Sequence, residues 1–237
     1  MFFFKNRALI SLFILVCFLF VVFNKGSISY QDCFSDYPLN DYVIVLDAGH
    51  GGEDGGAIGI NTLVREKEIN LSITKKIGRL FESAGATVVF TRTDDDALCK
   101  DKFNKMEDML TRAKIIEQSK PYIVISVHCN SFPQSQNVHG AQMFYYPGSA
   151  GGEMLAEYIR NSIKTYVDND NIRQVKEEDF FMLRNGNSTN VMIECGFLSC
   201  PEEEIKLMDE SYQDKIAYSV FDGTSKFILK MRMPDNI

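Results

Sequence analysis

Only three histidines occur in the 237 residues, and two stand where a turning backbone would expose an imidazole. His50 lies within Asp47-Ala-Gly-His-Gly-Gly-Glu-Asp-Gly-Gly-Ala57, and five glycines around one ring imply a tight, permissive turn. A phosphate-cradling loop is the competing reading, but its Gly-Lys-Ser/Thr ending is missing and two acidic residues intrude. His128 closes an apolar run, Tyr122 to His128, and Glu194 sits near the end of another, Asn190 to Cys195. Two imidazoles and nearby carboxylates are the donor set of a zinc site that keeps a coordination position open.

A carboxylate ligand is available at the start of the segment after the glycine loop, Arg65-Glu66-Lys67-Glu68-Ile69-Asn70. Either glutamate has suitable chemistry, although positions two apart on a helix face nearly opposite ways, whereas Glu66 and Asn70 share a face. In the strands, alternation sends His128 and Cys129 to opposite faces, and likewise Glu194 and Cys195, so both cysteines are expected in the core. A carboxylate inside so apolar a strand is costly unless paired, which leaves a proton-transfer role or a buried ion pair with an arginine for Glu194. Asp47 and Asn130 flank the histidines and either orient the imidazoles or shape turns. His139, beside Gly140, reads as an ordinary loop residue.

These side chains need elements that bring distant segments together, and the pattern supplies them. Strands are expected at Tyr42 to Asp47, Thr87 to Thr91, Tyr122 to His128, Ala141 to Tyr145 and Asn190 to Cys195. Helices are expected at Lys67 to Ala84, about Lys105 to Gln118, Gly152 to Val167 and Tyr212 to Leu229. The alternation predicts a single α/β domain over 41–231, with an open, mostly parallel or mixed sheet and helices on both faces. In such sheets ligands bind beyond the carboxyl ends of the strands, where His50, His128 and Glu194 all fall. The acidic runs Asp94 to Asp96 and Glu202 to Glu204 read as solvated.

Composition narrows the partners. A net charge of −7 gives no basic face for nucleic acid. Lys5 and Arg7 precede an unbroken apolar run from Ala8 to Phe23, so residues 1–26 read as an export segment and 27–40 as a polar spacer. The run spans roughly 24 Å if helical, and an uncleaved membrane anchor is favoured over a cleaved signal. Val16 before Cys17 argues against lipid attachment. The remaining cysteines show neither paired spacing nor a Cys-x-x-Cys pair, so no disulfide framework or structural zinc cluster is expected.

Taken together, Asp47-Ala-Gly-His-Gly-Gly, Glu66-Lys-Glu-Ile-Asn-Leu71, Thr91-Arg92, Ser126-Val-His-Cys-Asn130 and Glu194-Cys-Gly-Phe-Leu-Ser199 resemble the zinc-dependent N-acetylmuramoyl-L-alanine amidases of the amidase type 3 group. The resemblance runs over Val43 to Leu229. It implies one Zn2+ per chain held by His50, Glu66 and His128, with Glu194 as catalytic acid/base. It also implies peptidoglycan as substrate, cut between the lactyl group of N-acetylmuramic acid and the L-alanine of the stem peptide. The chain departs from the family where Asn190 replaces a frequent Pro and Cys200 a frequent Asn. One bare catalytic domain behind a short anchor looks most like the sporulation-associated, CwlD-like members that help form muramic lactam in spore cortex. That likeness implies an exported, membrane-anchored or secreted enzyme in the forespore intermembrane space. Little room for a self-blocking helix lies between His128 and Glu194, so an activating lipoprotein is expected as a control. The rival readings are another zinc peptidase or deacetylase, or a non-catalytic wall-binding module.

Overall fold

The computed structural model describes residues 38–99, 103–184 and 187–233. Residues 1–37 are outside that range, so the export segment and nearly all of the spacer lie outside the described residues. Among the described residues, no helix is long and apolar enough to cross a membrane.

Six strands form one sheet: β1 (Val43–Ala48), β2 (Thr87–Phe90), β3 (Ile123–Asn130), β4 (Gln142–Tyr145), β5 (Lys176–Glu177) and β6 (Thr189–Phe197). Their order is β2-β1-β3-β6-β4-β5. The first four are parallel, β4 runs antiparallel to β6, and β5 is parallel to β4, so the sheet is mixed. The helices are α1 (Glu66–Ser83), α2 (Lys105–Ser119), α3 (Ala150–Tyr166), α4 (Pro201–Met208) and α5 (Glu210–Arg232). The two-residue β5, the short α4 and a 3-10 turn at Phe181–Leu183 are additions to the expected elements, because each is too short to carry a period.

Alternation along the central strands sorts side chains between two layers. Val45, Val124 and Met192 point to one side, where they meet Ile116 of α2 and Met182 and Leu183 of the 3-10 turn. Their neighbours point the other way, under α1, which packs against β1, β2 and β3. Gly78 lets α1 rest directly on Phe90 and Leu46; a β-carbon there would overlap the Phe90 ring. On that side α5 packs against α1 and α3, and Ser162 of α3 donates to Asp222 of α5 at 2.6 Å.

Two of the three acids read as solvated at 202–204 are buried instead. Glu204 accepts from the Thr62 amide and hydroxyl at 2.8 and 2.6 Å, which ties down the segment leading into α1. Glu203 accepts from Phe197 N and Gly140 N at 2.8 and 3.0 Å, joining the end of β6 to the start of β4. An acidic run at a helix start has dipole reasons to be exposed, and only tertiary contacts reveal these partners.

Candidate active site

The glycine loop after β1 carries His50 in a left-handed conformation, φ 63°. Two glycines make the space the site needs. A β-carbon at Gly49 would fall within the His128 ring, and one at Gly56 would meet Glu66 Oε2 at 2.5 Å and His50 Cδ2 at 2.8 Å. Two buried arginines hold the loop from beneath. Arg92 donates to the carbonyls of Ala48, Gly49 and Lys67 at 2.9, 3.0 and 2.9 Å. Arg112 donates to the carbonyls of Ala48 and His50 at 2.7 and 2.6 Å and to Asp47 at 2.8 Å.

Helix α1 begins with Glu66, whose carboxylate lies between the two imidazoles. Oε2 is 3.1 Å from His50 Nε2, and Oε1 is 3.0 Å from His128 Nδ1. It also accepts from Ala57 N at 2.8 Å, Cys129 N at 3.1 Å and Asn70 Nδ2 at 3.1 Å. Burial alone would raise the proton affinity of Glu66, but the hydrogen bonds and charge of His128 and His50 outweigh it and hold the carboxyl far below the usual range. The same contacts raise His128 against its own burial. Glu68, the other candidate in this turn, is exposed.

His50, Glu66 and His128 thus present one donor atom each within 4.8 Å of one another, a cluster able to hold a metal ion. Two imidazoles and a carboxylate suit zinc, and a three-residue set leaves a position open for water or substrate. The local register places Glu194 of β6 opposite His128 of β3, on the same side of the sheet. Its Oε2 is buried without a hydrogen-bond partner. Burial is the main cause that pushes Glu194 up to about 7, with Glu66 adding to the rise and the two histidines opposing it. The alternative of an ion pair between Glu194 and an arginine has no counterpart among the described contacts.

Of the two roles open to Asp47 and Asn130, their contacts favour shaping the backbone over orienting the imidazoles. Asp47 accepts from Thr91, Ser126 and Arg112 at 2.7, 2.6 and 2.8 Å, and Asn130 Oδ1 accepts from Ser131 N at 2.8 Å. Neither of those contacts is to an imidazole. Arg112, Ser126 and Thr91 overcome the burial of Asp47 and hold it at about 2, so it is a fixed counterion beneath the loop. The partner of His50 is instead Asp54, whose Oδ2 lies 3.0 Å from Nδ1. In the sequence it stands only as one of two acids in the glycine loop. Cys129 and Cys195 are buried, and burial raises both thiols well above their ordinary range. His139 is on an exposed loop, with Nδ1 2.8 Å from Asn137 O.

The sequence profile of the N-acetylmuramoyl-L-alanine amidases matches residues 44–226. Among individual relatives, the germination-specific N-acetylmuramoyl-L-alanine amidase of Bacillus subtilis is 34% identical over 229 residues, covering 94% of each chain. The probable cell wall amidase LytH of Staphylococcus aureus is 30% identical over 190 residues, 78% of this chain and 58% of LytH. In structure, the chain is similar to the CwlD amidase of Clostridioides difficile, solved in complex with the GerS lipoprotein. That pair shares 36% identity and a TM-score of 0.75 over 80% of this chain and 100% of the other. The amidase AmiC2 of Nostoc punctiforme follows at 28% identity and TM-score 0.71, over 81% and 99%. With the family profile matched over residues 44–226 and a relative 34% identical over 94% of each chain, the protein belongs to the N-acetylmuramoyl-L-alanine amidase family of peptidoglycan hydrolases.

Proposed function

We propose that this amidase is zinc-dependent, with His50, Glu66 and His128 as metal ligands and Glu194 as the acid/base, and that it removes stem peptides from N-acetylmuramic acid in spore cortex. The observation that carries the reading is the unequal treatment of two carboxylates beside one histidine. Glu66 is saturated with donors and bound to stay ionised, as a ligand must be. Glu194 has a free, buried oxygen and a proton affinity near neutrality, as a proton shuttle requires.

Held by His50, Glu66 and His128, a zinc ion would supply Lewis-acid polarisation of the amide carbonyl and would activate water near neutral pH. The protein supplies the rest. Asp54 places a negative charge 3.0 Å from His50 Nδ1, Arg92 and Arg112 hold the loop carbonyls, and Glu194 takes a proton from the attacking water and returns it to the leaving alanine amine.

The cortex role is supported by the 34% identity to the germination-specific enzyme. A lipoprotein partner is supported by the complex in which the 36% identical CwlD amidase was solved. Residues 1–26 as anchor or signal, 27–40 as spacer, 41–231 as catalytic domain and a location between the forespore membranes complete the proposal. The test is mass spectrometry of cortex peptidoglycan digested by the purified, zinc-loaded chain. Free L-alanine amino termini with glycan strands of unchanged length are expected. Shortened glycans, released acetate or cuts within the stem peptide would assign the cleft to a different hydrolase.

A further inference from the structure

The cleft that holds the imidazoles extends beyond them, between the first turns of α2 and the 3-10 turn, into a space of about 180 Å³. Its lining is divided. Met109, Phe180, Phe181, Met182 and Met192 provide an apolar floor, and Lys105 stands at the rim. Asp47, Asp108 and Arg112 also line it, but Arg112 is bonded to both carboxylates, at 2.8 Å to Asp47 and 2.7 Å to Asp108. Lys105 is differently placed. Its side chain is 66% exposed, and its Nζ is 3.6 Å from Asp54 Oδ2, beyond a good hydrogen bond. That same Asp54 oxygen is 3.0 Å from His50 Nδ1. A cation with donors to offer therefore sits one carboxylate away from the proposed metal ligand, at the edge of an apolar slot.

We infer that this arm of the cleft receives the stem peptide just beyond the scissile amide, and that Lys105 reads the free α-carboxylate of its second residue. The inference rests on the amidase reading and adds the selectivity of that site. In a stem that begins with L-alanine and a γ-linked glutamyl residue, the alanine methyl comes first. The α-carboxylate follows one residue later, and two methylenes lead away from it. Two residues of extended chain span about 7 Å, which carries the carboxylate past the imidazoles into the arm of the cleft that Lys105 borders. The methyl and methylenes match the Met and Phe floor, which would strip water from them, and the carboxylate matches the ammonium. Stems whose second residue is amidated at that carboxyl would present no charge to Lys105.

The test uses two synthetic muramoyl tripeptides that differ only there, one a free acid and one a primary amide. Zinc content is checked, and kcat and KM are measured for the full wild-type chain, Lys105→Met and Lys105→Arg. The wild type should favour the acid by about tenfold in kcat/KM, chiefly through KM, as charged hydrogen bonds in a partly open site allow. Lys105→Met should bring the ratio close to one, and Lys105→Arg should keep most of it. A wild type that treats both substrates alike, or a Lys105→Met that keeps the preference, overturns the inference while the amidase reading stands. A wild type that cuts neither substrate at the lactyl–alanine bond overturns both.

Discussion

Glu66, at the start of α1, receives three N–H donors and contacts both imidazoles. Glu194, in β6 opposite His128, has an oxygen with no hydrogen-bond partner. The two carboxyl groups share a neighbourhood, and both feel the cost of burial, yet the fold drives their proton affinities in opposite directions. The difference comes from backbone. Glu66 sits where the amides of Ala57 and Cys129 converge, whereas no donor reaches Glu194 Oε2. A helix start in a glycine-rich neighbourhood builds a fixed anion; a strand end in a hydrophobic layer builds one that can give and take a proton.

The sharpest thermodynamic consequence concerns Glu194 in the metal-free chain. Its folded-state value near 7 lies above the ordinary 4.5. Between those two values the folded protein holds a proton that the unfolded chain has lost, so this group lowers stability as pH rises through that window. Glu194→Gln cannot ionise, and should be more stable than the wild type at pH 8 by about 3 kcal/mol, with the advantage fading near pH 4. Urea melts of the two metal-free proteins at both pH values check it. Equal stabilities at pH 8 would mean that Glu194 is as well satisfied as Glu66, and the contrast would collapse.

A smaller effect is expected from Asp54→Asn, which removes the charge beside His50 Nδ1 while leaving the three cluster residues intact. Zinc affinity should fall by about 10–100-fold, the usual cost of losing a partner behind a ligand. Competition with a chelator of known affinity measures it. Unchanged affinity would leave the Arg92 and Arg112 clamp as the sole support of His50.

Much of this arrangement is legible in the amino-acid sequence. The apolar runs ending at His128 and near Glu194 locate both side chains at strand ends, because burial on both faces of a parallel sheet leaves an unmistakable hydrophobic signature. Helix α1 is legible from Ile69, Ile73 and Ile77, and those three are fully or almost fully buried. What escapes is decided by long-range contacts. The position of Asp47 leaves open whether it orients a histidine or shapes a turn, and only its contact with Arg112, 65 residues away, decides. Asp54 meets His50 across a glycine-rich turn in which His50 itself adopts a positive φ, a conformation that local sequence does not announce. Glu203 and Glu204 look solvated until the amides of Phe197 and Thr62 come to meet them. The apolar floor beyond the imidazoles gathers Met109, Phe181 and Met192 from three separate elements, and no local period announces such a surface.

The measurement that bears most directly on the two carboxylates is zinc content and muropeptide turnover for Glu66→Gln and Glu194→Gln, purified side by side with the wild type. Glu66→Gln should lose the metal and the activity together. Glu194→Gln should keep one zinc per chain while turnover falls by about 10²–10⁴, the usual worth of a general acid/base. A Glu66→Gln protein with full zinc occupancy, or a Glu194→Gln protein that turns over at the wild-type rate, would contradict the division of labour between ligand and proton carrier.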